Sequence, residues 1–281
     1  SLERVPEREG IRRRLTELWD YAKAWAPVKR GGRYFQLRNS GLQNQDVLYV
    51  LEGLDGEARV LLDPNGLSAD GTVALTGWEP SPDGRWLAYA TSAAGSDWLT
   101  WHVRDVERGE DLPDLVEWSK FSGAAWRADS SGFWYARYDA PATGTDYTGA
   151  NYFHKLFFHR LGESQAHDIL VYERPDQKEW GFGSKASDDG RFLILEVWQG
   201  TDVRNRLFYQ DLAASGPVVE LIAELGMDDT YENILNYSLT GLYAIDKRSN
   251  EPFRYYKTGS AFEYDLIRKL YLIKRQFQID N

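Results

Sequence analysis

The sequence predicts an all-β fold: a β-propeller of four-stranded antiparallel blades, about five in number, preceded by a short N-terminal helix. Three observations predict it. A tight-turn signal recurs along the chain. A strand, short turn and second strand recur in phase with it. The chain also holds 14% aromatic residues, including eleven Trp and 17 Tyr, whose flat rings suit pleated sheets stacked face to face.

The turn is clearest at Ser81-Pro82-Asp83-Gly84, followed by Arg85-Trp86-Leu87-Ala88-Tyr89-Ala90. Proline presets φ, Asp bonds the local backbone, and glycine accepts positive φ. An earlier copy runs Arg30-Gly31-Gly32-Arg33-Tyr34-Phe35, and later copies run Asp129-Ser130-Ser131-Gly132-Phe133 and Ser187-Asp188-Asp189-Gly190-Arg191-Phe192. Taking Gly32, Gly84, Gly132 and Gly190 as the turn glycines, the spacings are 52, 48 and 58 residues. A propeller blade takes roughly 40–50 residues.

The second element joins Val47–Val50 to Arg59–Leu62, Leu99–Val103 to Leu112 and Leu115, Lys155–His159 to Asp168–Tyr172, and Arg206–Tyr209 to Val218–Ile222. Four blade-like units are therefore legible between about 28 and 224.

Taken in order, residues 1–24 form a helical segment. Pro6 suits a first helical turn, and Ile11, Leu15, Leu18 and Trp19 make one apolar stripe. The run Arg12-Arg13-Arg14 reads first as a solvated helix face and second as a partner site. Residues 25–224 carry the blades. The stretch 140–149 has loop composition and is either a plain excursion or a binding loop. Residues 225–281 diverge and are expected to form a last blade or a cap. A hairpin about Arg248-Ser249-Asn250 fits there, and 261–281 suits strands, although Phe262, Leu266, Leu270 and Ile273 also have helical spacing.

Composition bounds the function. The net charge of −10 argues against a nucleic-acid groove, which needs clustered cations. No apolar run approaches the roughly 20 residues that span a bilayer, so no membrane partner is expected. The absence of cysteine removes thiolate metal sites and fits a reducing compartment; the expected location is cytoplasmic. His102, His154, His159 and His167 are read as packed or surface side chains, with no shared metal. No nucleophile elbow, phosphate loop or dinucleotide fingerprint is present. Asp188-Asp189 is explained by its turn, and a carboxylate pair facing across a cleft with Asp228-Asp229 has no support in the sequence. No cofactor is expected.

The chain resembles the propeller region of the prolyl oligopeptidase family of serine peptidases. The matching words are Gly41-Leu42-Gln43-Asn44-Gln45 with Val47-Leu48-Tyr49-Val50, Leu62-Asp63-Pro64-Asn65, Asp70-Gly71-Thr72-Val73-Ala74-Leu75 and Gly95-Ser96-Asp97-Trp98. They continue with Lys120-Phe121-Ser122-Gly123, Ala125-Trp126, Ser187-Asp188-Asp189-Gly190-Arg191 and Asn205-Arg206-Leu207-Phe208-Tyr209. They run in order over about 1–224. The resemblance implies a seven-bladed propeller that covers an α/β-hydrolase domain holding Ser, Asp and His, and that gates peptide substrates by size. Seven blades need roughly 350 residues, more than remain after residue 28, and the hydrolase domain is missing from these 281 residues. The expectation is a shortened or engineered propeller without a catalytic set, partnered by a peptide or a peptidase domain, or else a free-standing interaction module. The resemblance places the substrate-contacting phenylalanine at Phe121, an arginine that pairs with substrate at Trp198, and a small residue near it at Thr201. Tryptophan has no guanidinium fork, which puts the second role in doubt. From its residues alone, Phe121 reads equally as a core or blade-interface aromatic.

Overall fold

The computed structural model describes residues 5–141, 151–202 and 204–225. One helix, α1 (Arg8–Trp19), precedes seventeen strands: β1 (Lys23–Ala24), β2 (Val28–Arg30), β3 (Arg33–Asn39), β4 (Val47–Leu51), β5 (Arg59–Leu62), β6 (Val73–Pro80), β7 (Trp86–Ala93), β8 (Leu99–Asp105), β9 (Glu110–Ser119), β10 (Ala125–Trp126), β11 (Gly132–Arg137), β12 (Lys155–Arg160), β13 (Ile169–Glu173), β14 (Trp180–Ala186), β15 (Phe192–Gln199), β16 (Asn205–Asp211) and β17 (Val219–Leu225). The predicted last blade or cap, 225–281, lies outside the described residues but for Leu225, and so does most of the 140–149 loop.

The strands fall into four antiparallel groups of blade type. β1 and β2 both pair with β3, which continues to β4 and β5. β6 to β9 pair in sequence order. A single Ser119↔Arg137 pair carries that sheet on to β11, with β10 on its flank and β12 and β13 beyond. β14 to β17 again pair in sequence order. The chain divides into two compact units, Ser1–Gly149 with Phe158–Ile169, and Ala150–Phe157 with Leu170–Asn281.

The second strand of each later group contains a run of four consecutive buried apolar residues, the mark of a strand covered on both faces. In the first unit, Leu87–Ala90 and Phe133–Ala136 are buried without alternation; in the second, so are Phe192–Leu195. One core of the first unit joins Phe35, Leu48, Val50, Leu61 and Leu62 of the first group to Leu87, Tyr89 and Val106 of the second.

The recurring turns have a common build. At Ser81–Trp86, the Ser81 hydroxyl donates to Asp83 at 2.6 Å and accepts from the Trp86 amide at 3.0 Å, while the Asp83 carboxylate accepts from Arg85 N–H at 3.1 Å. At Ser187–Phe192 the same three bonds, in the same order, measure 2.6, 2.8 and 3.0 Å. Gly84 and Gly190 both have φ of +70°. In the third group the left-handed residue is Ser130, with φ of +57°. Gly132, read from the sequence as the turn glycine, opens β11 instead. It is small because a Cβ there would lie 2.2 Å from the His159 carbonyl oxygen. The spacing from Gly84 to the next turn is thus 46 residues rather than 48.

Helix α1 is where the apolar stripe predicted it, but none of its side chains is buried. Ile11, Leu15, Leu18 and Trp19 are each at least half exposed. The arginine run is a solvated face: Arg12 pairs with Glu9 at 2.7 Å and Arg14 with Glu17 at 3.3 Å.

Candidate functional site

Phe121 follows the end of β9 in a loop that is firmly anchored. The Ser119 hydroxyl accepts from Trp101 Nε1 at 3.2 Å and donates to the Ala136 carbonyl at 2.8 Å. The Ser122 hydroxyl accepts from the Ala136 amide at 2.8 Å, and the Tyr138 amide donates to the Trp118 carbonyl at 3.1 Å. Between these anchors, Trp118 and Phe121 hold φ of +62° and +55°. Side-chain-bearing residues rarely occupy that region; it costs on the order of 1–3 kcal/mol each and persists only where the surroundings enforce it.

The enforced backbone turns the Phe121 ring outward. It is 56% exposed, which rules out the core reading. Lys120 tucks beneath it, its ammonium 5.2 Å from the Phe121 ring, 5.0 Å from the Trp98 ring and 3.6 Å from Asp97. Trp98 in turn meets Trp118 and Tyr138 edge-to-face at 5.8 and 6.1 Å. The chemistry on offer is an apolar ring on a rigid support, with a cation held under it. Sequence reasoning found Phe121 and passed over Lys120 and Trp98, although all three stand within the words Gly95-Ser96-Asp97-Trp98 and Lys120-Phe121-Ser122-Gly123.

Trp198 and Thr201 belong to the second unit. Trp198 pairs across the sheet with Gly181, and its ring lies directly over that glycine: a Cβ on Gly181 would come 2.3 Å from Trp198 Cε2. Trp198 also borders a cavity of about 60 Å³ with Trp180, Val197, Gln199, Asp202, Arg204 and Arg206. Thr201 is exposed in the turn after Gly200 and does not line that cavity. Arg204 and Arg206 bring guanidinium groups to the cavity that Trp198 cannot supply. Arg206 also pairs with Glu220 at 3.0 Å and stacks on Trp180 at 5.0 Å.

The histidines are packed or exposed as expected. His154 Nδ1 accepts from the Phe182 amide at 3.0 Å. His102 stacks on Tyr89 at 5.0 Å, and burial holds its pKa below the ordinary value. His159 is fully buried, and His167 is exposed. Among the described residues no group of His, Asp and Glu side chains is arranged to hold a metal.

Residues 1–243 match the family model described as the N-terminal β-propeller domain of prolyl oligopeptidase. The chain belongs to the prolyl oligopeptidase family. The prolyl endopeptidase of Elizabethkingia meningoseptica is 33% identical over 251 residues, covering 88% of this chain and 35% of that protein. The dual function macrocyclase-peptidase POPB of Galerina marginata is 35% identical over 222 residues, or 70% and 30% of the two chains. The solved structure of prolyl oligopeptidase B from Galerina marginata, bound to a 35-residue hydrolysis and macrocyclization substrate, superposes with a TM-score of 0.71 at 30% identity, covering 79% of this chain and 34% of that one. The chain thus spans about a third of the length of these prolyl oligopeptidase relatives.

Proposed function

We propose that the chain is the propeller portion of a prolyl oligopeptidase-type serine peptidase, and that it gates peptides by size on their way to a hydrolase domain. The observation that carries this reading is Phe121, an exposed ring on a rigid, strained support at the position the family resemblance assigns to substrate contact. The apolar stripe of α1 supports the same reading, since Ile11, Leu15, Leu18 and Trp19 stand ready to pack on a further domain. The peptide is the partner and Phe121 its apolar contact on the first unit; Trp198 and Thr201 are substrate contacts by the family resemblance alone. A cysteine-free chain, with no helix among the described residues long and apolar enough to cross a membrane, supports a cytoplasmic setting.

The test is reconstitution. The chain is mixed with the separately expressed hydrolase domain of the Elizabethkingia meningoseptica relative. Association in a pull-down is expected, with cleavage of a chromogenic Gly-Pro substrate retained and cleavage of a 35-residue peptide suppressed. No association, or equal cleavage of short and long substrates, overturns the reading.

A further inference from the structure

His159 stands on β12 with both ring nitrogens facing carboxylates. Nδ1 lies 2.7 Å from Asp168 Oδ1, and Nε2 lies 3.1 Å from Asp114 Oδ1. All three side chains are at most 1% exposed. A neutral imidazole has one N–H and one lone pair, so it would turn its lone pair against one of the two carboxylates. The geometry therefore calls for both nitrogens protonated.

The cluster spans a seam within the first unit. Asp114 sits on β9, the fourth strand of the second group, while His159 and Asp168 belong to the third. Asp114 Oδ1 also accepts from the Gly162 amide at 2.6 Å. Two residues further along β9 than Val116's neighbour Leu115, Glu117 exchanges both backbone hydrogen bonds with the Gln165 side chain, at 3.1 and 2.9 Å. The turn of the third group is thus fastened to β9 at two points, one of them charged.

We propose that the protonated His159 is a pH-governed latch that holds the second and third blades together along β9. The groups that face it are few. From β9 comes Asp114; from the residue just before β13, Asp168; from β11, the apolar ring of Phe133 at 5.3 Å and Tyr135, whose hydroxyl donates to Asp168 at 2.6 Å. The Arg137 guanidinium acts on Tyr135 from the same strand. Burial alone pushes the His159 pKa down, but the hydrogen bonds to Asp114 and Asp168 outweigh it and lift the value to about 9. The folded value is thus raised above the ordinary 6.5. The stabilising contribution is complete below about 6.5 and is lost as pH rises through about 9. Loss of the proton leaves two buried carboxylates about one neutral ring. Asp114 Oδ2 already has no hydrogen-bond partner among the described residues, so the Asp114 carboxylate relies on the His159 and Gly162 N–H groups at its other oxygen.

The test reads the imidazole and the seam separately in the intact chain. Nitrogen-15 NMR, assigned with His159→Gln, is expected to find both ring nitrogens protonated at pH 7 and a midpoint near 9. Hydrogen exchange at the Glu117 and Gly162 amides, corrected for intrinsic base catalysis, should accelerate at least roughly tenfold across that midpoint, which corresponds to about 1.4 kcal/mol of protection. Asp114→Asn should move both midpoints down together. A His159 midpoint near 6.5, or one bare ring nitrogen at pH 7, overturns the proposal. So does corrected exchange that stays flat while the imidazole titrates. The wild-type titration decides the matter even if His159→Gln fails to fold, because Asp114→Asn identifies the resonance independently.

Discussion

Gly31 rests on the carbonyl of Asp83. A Cβ built on Gly31 would lie 1.9 Å from the Asp83 oxygen, and one on Gly84 would lie 2.8 Å from the Arg30 oxygen. The turn of the first blade therefore touches the turn of the second, backbone to backbone. The contact continues to the third turn, where the Asp83 amide donates to the Ser130 hydroxyl at 3.3 Å. Turns that recur in sequence are thus neighbours in space within the first unit. Arg33 reinforces the same junction by reaching the Gly84 carbonyl at 3.3 Å and Glu107 at 2.6 Å.

Gly31→Ala is accordingly expected to be severe. It combines a left-handed φ of +52° with a backbone clash that no side chain can relieve. A loss of roughly 3 kcal/mol or more is expected in chemical denaturation. Gly71→Ala is the control. It shares a positive φ, +70°, but has open space around it, so only the conformational cost of about 1–2 kcal/mol should remain. Equal losses at the two sites would show that the turn-to-turn contact contributes nothing.

The third turn offers a swap experiment. Ser130→Gly relieves a left-handed serine at the cost of one long hydrogen bond, and should leave stability within about 1 kcal/mol of wild type. Gly132→Ala should cost about 3 kcal/mol, since its Cβ meets the His159 carbonyl and the Phe158 ring. Thermal melts of the two variants check the order. If Gly132→Ala is the milder, the reassignment of the turn is mistaken.

Gly181 and Trp198 should behave as one unit. Gly181→Ala must displace the Trp198 ring, since the new Cβ would lie 2.3 Å from Trp198 Cε2. About 2 kcal/mol is expected, and most of it should vanish in a Trp198→Ala background, giving a coupling on the order of 1–2 kcal/mol in a double-mutant cycle. Additive losses would mean that the glycine is small for another reason.

Phe121 is tested in the reconstituted peptidase. Phe121→Ala removes an exposed ring and should leave stability within about 0.5 kcal/mol. KM for a short prolyl peptide should rise about tenfold with kcat little changed, as for a group that binds ground and transition states alike. Lys120→Met keeps a long unbranched side chain at this position and removes the ammonium that lies near the Trp98 and Phe121 rings. A KM shift there reports the cation under the ring, and an unchanged KM assigns Lys120 to support alone.

The alkaline limb of the stability curve follows from His159. A raise from 6.5 to about 9 corresponds to roughly 3 kcal/mol. Urea midpoints of the wild type should therefore fall as pH rises from about 6.5 past 9, with a smaller fall for Asp114→Asn. A wild-type stability that is level over that range would show that the buried cluster carries no linked proton.

The blades were legible in the sequence because their signals are local. Ser-x-Asp-Gly bonds within six residues, and an apolar run such as Phe192–Leu195 reports burial on both faces wherever the strand ends up. Asp83 and Asp189 could be assigned to turns for the same reason, and Phe121 through the Lys-Phe-Ser word around it. What the tertiary structure decided depends on residues far apart in the chain. Gly132 and Ser130 exchange the roles that sequence suggests, because the His159 carbonyl, 27 positions on, occupies the space beside Gly132. Trp198 took its place when β14 set Gly181 beneath it. His159 reads in sequence as one more packed histidine. Only the approach of β9, 45 residues earlier, brings Asp114 to its second nitrogen and makes it a charged group, since a buried imidazole takes its protonation state from partners that chain folding alone assembles.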